Sequence, residues 1–254
     1  MSFSDFNFYA VIPAAGSGSR MKSGKNKQFL ELAGIPVIAR TLTVFENSPL
    51  ISKIVVSARD SEKDELIKIC KEFNITKLSG VVSGGETRQM SVRNSLLFLA
   101  EKITSRSFDN FDSICDNMLS NSYVFIHDGA RPFVSNETIV ACADCVVSKK
   151  ACGAGVLVKD TIKQTTSENE IAKTLDRSNL WAIQTPQAFS LDNILALHNK
   201  AYEEKKDFTD DTALCEYYGQ KAFMVEGSYN NIKITTPEDL LLGEIILKSK
   251  ISKQ

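Results

Sequence analysis

AVIPAAGSGSRMKSGKNKQ, residues 10–28, decides the fold. Residues 9–13 are apolar and read as a short strand. The small residues Ala14, Ala15, Gly16, Ser17, Gly18 and Ser19 then break it, and Arg20, Lys22, Lys25 and Lys27 follow. A strand that runs into a small-residue turn exposes backbone N–H groups, and cations close behind add full positive charge. The combination is shaped to wrap a polyphosphate. Two better-known phosphate loops fail on particular residues. A Walker A loop needs Ser or Thr after Gly24-Lys25, where Asn26 stands, and Gly in place of Ser19. A dinucleotide fingerprint needs a third Gly or Ala where Met21 sits. The plain alternative is a glycine turn beside a solvated basic patch.

The chain of 254 residues is 43% hydrophobic and 24% charged, which suits a folded globular protein and argues against disorder. A net charge of -1 offers no global attraction to nucleic acid or to an anionic membrane, so anion binding must come from local clusters such as residues 20–27. No apolar stretch is long enough to span a bilayer, and the N-terminal MSFSDFNFYA lacks a basic n-region and a cleavage site; a cytoplasmic location is expected. Cys142 and Cys145 form a C-x-x-C, but no second pair or nearby histidine completes a zinc site. Within the apolar run 138–147 this spacing puts both thiols on one helical face, as core. With only His127 and His198 present, a histidine-rich metal centre is excluded, and any catalytic metal is a hard cation held by carboxylates and phosphates.

Downstream of the first loop the pattern alternates. Helices are expected over 38–45, 62–73 and 89–102, and strands over 51–58 and 77–82. Another buried strand, 123–126, ends abruptly in His127-Asp128-Gly129-Ala130-Arg131. This alternation predicts one Rossmann-like α/β domain over residues 1–254, with a mostly parallel sheet covered by helices on both faces. Ligands in such sheets sit beyond the carboxyl ends of strands, where Asp128 and Arg131 fall. Residues 105–122 are polar and unpatterned and read as a surface insertion. Residues 153–163 and 180–189, extended and separated by a polar stretch, suggest a long β-hairpin arm over 153–189 that projects from the sheet. Thr209-Asp210-Asp211-Thr212 caps a helix through Tyr218. Residues 222–225 and the alternating 230–235 (NNIKIT) read as strands, and Pro237 opens a last helix.

Taken together, PAAGSGSRM, NKQFLEL, GGETRQMSV, HDGARPF, VKDTIK, LDRSNLW, QTPQAF, TDDT and NIKITTPEDL resemble the 2-C-methyl-D-erythritol 4-phosphate cytidylyltransferases of the non-mevalonate isoprenoid pathway. The first loop alone indicates only their wider superfamily of sugar-nucleotide pyrophosphorylases and cytidylyltransferases. The likeness runs from about residue 10 to 247. This chain departs from the usual pattern at Asn26 (commonly Pro), Glu86 (often Asp) and Gly129 (often Ala), and in the length of the 105–122 insertion.

The resemblance implies transfer of a cytidylyl group from CTP to methylerythritol phosphate, with release of pyrophosphate. Arg20, Lys27 and Lys233 would then be catalytic. Ala14, Ala15 and Gly16 would line the triphosphate, and Gly85, Glu86 and Ser91 would read cytosine and ribose. Asp128 and Arg131 would face the methylerythritol, and Thr161 and Arg177 on the arm would hold its phosphate. Magnesium would be bound mainly through the CTP phosphates, with no dedicated protein ligands. The arm implies a homodimer, with no nucleic-acid or membrane partner. A ribitol 5-phosphate cytidylyltransferase, a non-catalytic nucleotide-binding module and a nicotinamide dehydrogenase are the competing readings. The first typically opens with A-G-G and carries a bulkier residue at Ala130; the last is weakened by Met21.

Overall fold

One strand carries apolar side chains on both of its faces. In β1 (Asn7–Pro13), Phe8, Ala10 and Ile12 point to one side and Tyr9 and Val11 to the other, all buried. A strand buried on both faces needs a layer of helices above and below it. The computed structural model describes residues 3–16, 27–105 and 119–251.

After β1 come the small ribbon β2 (Glu31–Leu32) and β3 (Ile35–Pro36), then α1 (Val37–Asn47), β4 (Ile51–Ala58), α2 (Lys63–Glu72) and β5 (Leu78–Ser83). Next are α3 (Arg88–Thr104), β6 (Ser122–Ile126), α4 (Asn136–Lys149) and β7 (Ala151–Leu157). β8 (Lys163–Thr165) and β9 (Ile171–Thr174) follow, then β10 (Trp181–Ser190), α5 (Leu191–Glu203), α6 (Asp211–Tyr217), β11 (Phe223–Glu226) and α7 (Pro237–Ile251). Seven strands form one sheet in the order β11-β7-β10-β6-β1-β4-β5, and only β10 runs antiparallel to its neighbours. The mostly parallel α/β sheet expected from the alternation is therefore present.

One face buries Phe8, Ala10, Ile12 and Phe125 under Ile38, Leu42 and Phe45 of α1, Leu66 of α2 and Ile139 and Val146 of α4. The other buries Tyr9, Val11, Val124 and Ile126 under Val92, Leu96 and Leu99 of α3 and Ile194 and Leu195 of α5. Each of the Val, Leu, Ile and Phe side chains among them contributes about 1.5–3 kcal/mol through removal from water. From β1 the chain steps outward to β4 and β5, then returns across β1 to place β6 on its other side. That reversal opens a crevice beyond the carboxyl ends of β1 and β6.

Four expectations need correction. Residues 230–235 form no strand, although Ile234 is fully buried with Leu32, Val37, Phe133 and Ile246. Their backbone donors go elsewhere: Asn231 N–H to Ser228 O, Ile234 N–H to Ala130 O, and the N–H groups of Thr235 and Thr236 to Asp239 Oδ2. A segment whose donors are already spent has none to offer a ladder. The arm is shorter than 153–189, because β7 and β10 lie inside the main sheet; the exposed ribbon β8–β9 lies within residues 158–180. The insertion read over 105–122 also ends earlier, since Leu119 is 1% exposed in the core and Ser122 starts β6; residues 106–118 lie outside those described. Finally, Cys142 is buried as expected but Cys145 is only half-buried. No helix among the described residues is long and apolar enough to cross a membrane.

Candidate active site

The crevice holds a cavity of about 450 Å³ lined by Ala15 and Gly16 after β1, Arg59 and Asp60 after β4, residues 84–88, Ser91, residues 128–130 and Lys233. Its upper wall is a tight loop. A Cβ on Gly84 would lie 2.3 Å from the Ala15 Cβ, and one on Gly85 2.2 Å from the Met90 Cβ, so only glycine lets the two loops meet. Thr87 caps α3 by accepting from Met90 N–H. Ser91 Oγ accepts from Gly85 N–H at 3.0 Å and donates to Thr87 O at 3.0 Å. Its hydroxyl therefore shapes the loop.

The floor is an ion cluster. Asp128 sits at the end of β6 with 7% exposure. Its Oδ1 accepts from Arg88 Nε at 3.2 Å, and its Oδ2 from Lys233 Nζ at 2.9 Å and from Arg131 Nε at 3.4 Å. Burial alone would raise the Asp128 pKa, but Arg88, Lys233 and Arg131 overcome it and hold the carboxyl well below the usual range. Arg88 continues to Asp211 Oδ2 at 2.8 Å, and Asp211 Oδ1 meets His198 Nε2 at 3.0 Å. Asp211 N–H and Thr212 N–H donate to Gln187 Oε1, which fixes the start of α6 against β10. Arg88, Arg131 and Lys233 share Asp128 and Asp211, so this floor cluster carries one net positive charge, while the cavity lining as a whole sets Arg59, Arg88 and Lys233 against Asp60, Glu86 and Asp128.

Beneath it, His127 is fixed in one tautomer. Arg131 O can only accept, so Nε2 carries the proton at 3.0 Å; Nδ1 then accepts from Thr185 Oγ1 at 3.0 Å, and Thr185 Oγ1 accepts from Asp128 N–H at 3.1 Å. Burial lowers the His127 pKa to about 4. Its unfolded value is near 6.5, so the folded form takes up its proton later than the unfolded form as pH falls. Stability from this group is complete above about pH 6.5 and is lost as pH drops toward 4, by about 3 kcal/mol. Asp128 adds a second loss at lower pH, because its depressed pKa stabilises the fold above about 4. Urea midpoints measured from pH 7 to 4.5 should show the first loss, and His127→Gln should flatten that slope even if it lowers stability at pH 7.

Of the residues singled out in the sequence, Ala15, Gly16, Gly85, Glu86, Ser91, Asp128 and Lys233 converge on the cavity. Ala14 is buried just behind it, with its N–H on Ser57 O. Arg131 turns away to Asp128 and Asn231 O. Arg20, Lys22 and Lys25 lie outside the described residues, as does the side chain of Lys27, whose backbone begins a short 3-10 turn, Lys27–Phe29. Thr161 and Arg177 are exposed on the arm and are not among the cavity-lining residues; the Arg177 guanidinium donates to Lys159 O. Sequence reasoning missed Arg59, Arg88, Asp211 and Thr185. The TDDT motif did hold a signal, since one aspartate suffices for the cap: Asp210 caps α6 and Asp211 turns inward, 2% exposed.

A metal cage is not built from these side chains. Asp128 is occupied by three cations and Asp60 by Lys63 and Ser83, and no group of three or more His, Cys, Asp or Glu among the described residues is placed to hold a metal ion.

The family model described as 2-C-methyl-D-erythritol 4-phosphate cytidylyltransferase matches residues 8–107 and 111–249. The enzyme of that name from Halalkalibacterium halodurans is 41% identical over 243 residues, covering 96% of this chain and 98% of the relative. Its counterpart from Geobacillus kaustophilus is 41% identical over 247 residues, covering 97% and 100%. The crystal structure of 4-diphosphocytidyl-2C-methyl-D-erythritol synthase from Anaerococcus prevotii superposes with a TM-score of 0.77 at 28% identity, covering 97% of this chain and 98% of that one. With a switch-point cavity walled by the GGETR loop and floored by Asp128 and Lys233, and with likeness over nearly its whole length, the chain belongs to the 2-C-methyl-D-erythritol 4-phosphate cytidylyltransferase family.

Proposed function

We propose that the cavity transfers CMP from CTP to 2-C-methyl-D-erythritol 4-phosphate. The observation that carries this reading is the net-positive floor, with Lys233 held on Asp128 at 2.9 Å beside the Ala15–Gly85 walls. An oxygen of the acceptor phosphate attacks the α-phosphorus of CTP; the new P–O bond forms as the α–β bridging P–O bond breaks, and pyrophosphate leaves. Both reactants are anions, so positioning and cations aimed at the in-line transition state carry the catalysis. A phosphate monoester is already nucleophilic near neutral pH and needs no strong base.

In this reading Lys233, with Arg20 and Lys27, neutralises the α-phosphate as charge builds on it. Ala14, Ala15 and Gly16 border the triphosphate. Gly85 and Glu86 meet the base and ribose in a loop set by Ser91. Asp128 meets the acceptor hydroxyls, and Arg131, bound to both Asp128 and Asn231 O, orients that carboxylate. Magnesium bound with the triphosphate would supply further charge neutralisation there, with no dedicated carboxylate cage among the described residues to hold it. Both substrates are small, charged and water-borne, in keeping with work in the cytoplasm. With Gly84 packed on Ala15 and Gly85 on Met90, the wall is backbone, and a purine collides with it. Pyrophosphate release should therefore be at least about 10²-fold faster with CTP than with ATP or GTP. Efficient use of GTP would place the protein on another branch of the superfamily.

The arm supports a further part of the same reading. Ile171, Leu157 and Ile183 are exposed on it and at its root, at 60%, 45% and 36%, and apolar surface of this kind favours a partner. We place a twofold homodimer here, in which Thr161 and Arg177 of one subunit hold the acceptor phosphate in the other. Mixing inactive Lys27→Ala with inactive Arg177→Ala should restore about a quarter of wild-type activity after random exchange, since each heterodimer regains one intact site. Confirmed exchange without recovered activity means the arm serves its own subunit.

A further inference from the structure

Lys233 sits on a segment without regular structure, so its place over Asp128 depends on whatever pins that segment. We infer that Asn231 is the positioning residue for Lys233, an inference that rests on the catalytic role given to Lys233 above. Asn231 is 1% exposed, and its Nδ2 donates to Thr185 O at 2.8 Å and to Gln184 Oε1 at 3.4 Å. Its backbone N–H donates to Ser228 O, and its backbone O accepts from Arg131 Nη1 at 2.9 Å. On the far side of Lys233, Ile234 N–H donates to Ala130 O at 2.8 Å. The lysine is thus held between two anchors.

Thr185 makes the arrangement specific. Its backbone oxygen takes the Asn231 amide, while its Oγ1 takes the Asp128 N–H. One residue of β10 therefore fixes both members of the Lys233–Asp128 pair, and Arg131 repeats the link by bonding Asp128 and Asn231 O together. Asn231 Oδ1 is buried with no hydrogen-bond partner among the described residues.

Two variants test this. Asn231→Asp keeps the shape and removes the donor, and Asn231→Ser removes the amide. Each is assayed for pyrophosphate release with CTP and the acceptor, alone and combined with Lys233→Ala. Displacing a charge by about 1 Å costs about 10²-fold, so kcat should fall by about that factor while KM for CTP moves less than about threefold. In the Lys233→Ala background the same substitution should cost nothing further, because its effect runs through the missing amine. A kcat within about threefold of wild type in a folded Asn231 variant overturns the inference, as does a full loss added on top of Lys233→Ala. If neither variant folds, Asn231 is structural and the inference fails. Normal turnover by Lys233→Ala alone overturns the catalytic reading of Lys233 and this inference with it; loss there beside normal turnover in the Asn231 variants overturns this inference only.

Discussion

Lys233→Ala is expected to lower turnover by about 10²–10³-fold while moving CTP affinity far less. The amine matters most when negative charge peaks on the transferring phosphoryl group, a state that ground-state binding does not sample. The fold should tolerate the change. Lys233 is partly exposed at 36%, and its loss still leaves Asp128 bonded to Arg88 and Arg131, so the stability cost is about 1 kcal/mol or less. Rapid-quench turnover, CTP titration and a thermal melt on the same preparation separate these effects. Lys233→Arg should also be impaired, since a planar fork does not replace a point charge in a tight site. Arg20→Ala and Lys27→Ala should follow the same pattern. Near-normal turnover in Lys233→Ala would remove the cation from the mechanism.

Asp128→Ala should behave differently and damage the fold as well as the reaction. Its carboxylate is the shared partner of Arg88, Arg131 and Lys233. Arg131, largely out of water, would keep Asn231 O but have no carboxylate partner among the described side chains, and Arg88 would have Asp211 alone. Breaking a buried ion pair from one side costs about 3–5 kcal/mol, because the remaining charge stays out of water. For a chain of this size that is a drop in melting temperature of about 10 °C. Asp128→Asn keeps the volume and loses less stability, yet its amide hydrogens oppose those of Lys233 and Arg131, so activity should still collapse. Equal melting temperatures for wild type and Asp128→Ala would contradict the cluster as described.

Much of this was legible from the sequence where local pattern and long-range packing agree. The apolar run of β1 announces a strand buried on both faces, and the small residues that follow mark the cavity edge. Residues 230–235 misled because Ile232 and Ile234 do alternate, while the strand needs free backbone donors that Ser228, Ala130 and Asp239 have already taken. The root of the arm misled for the opposite reason: the polar stretch between the extended segments gave residues 153–189 the look of a free hairpin, and nothing local reveals that β7 has β11 on its outer edge. Arg88 and Asp211 are 123 residues apart, and no spacing rule brings them together; only the fold does. Asp128 was legible because it stands directly at a strand end, but its role as a hub for three cations was not.

Phosphorus NMR of the enzyme with CTP, magnesium and 2-C-methyl-D-erythritol 4-phosphate, run beside ribitol 5-phosphate as acceptor, tests the transfer most directly. Loss of CTP signal with equal appearance of pyrophosphate and a cytidine diphosphate ester of methylerythritol is the expected result, with little turnover of ribitol 5-phosphate. An absence of pyrophosphate with methylerythritol phosphate, or equal turnover of the two acceptors, would contradict it.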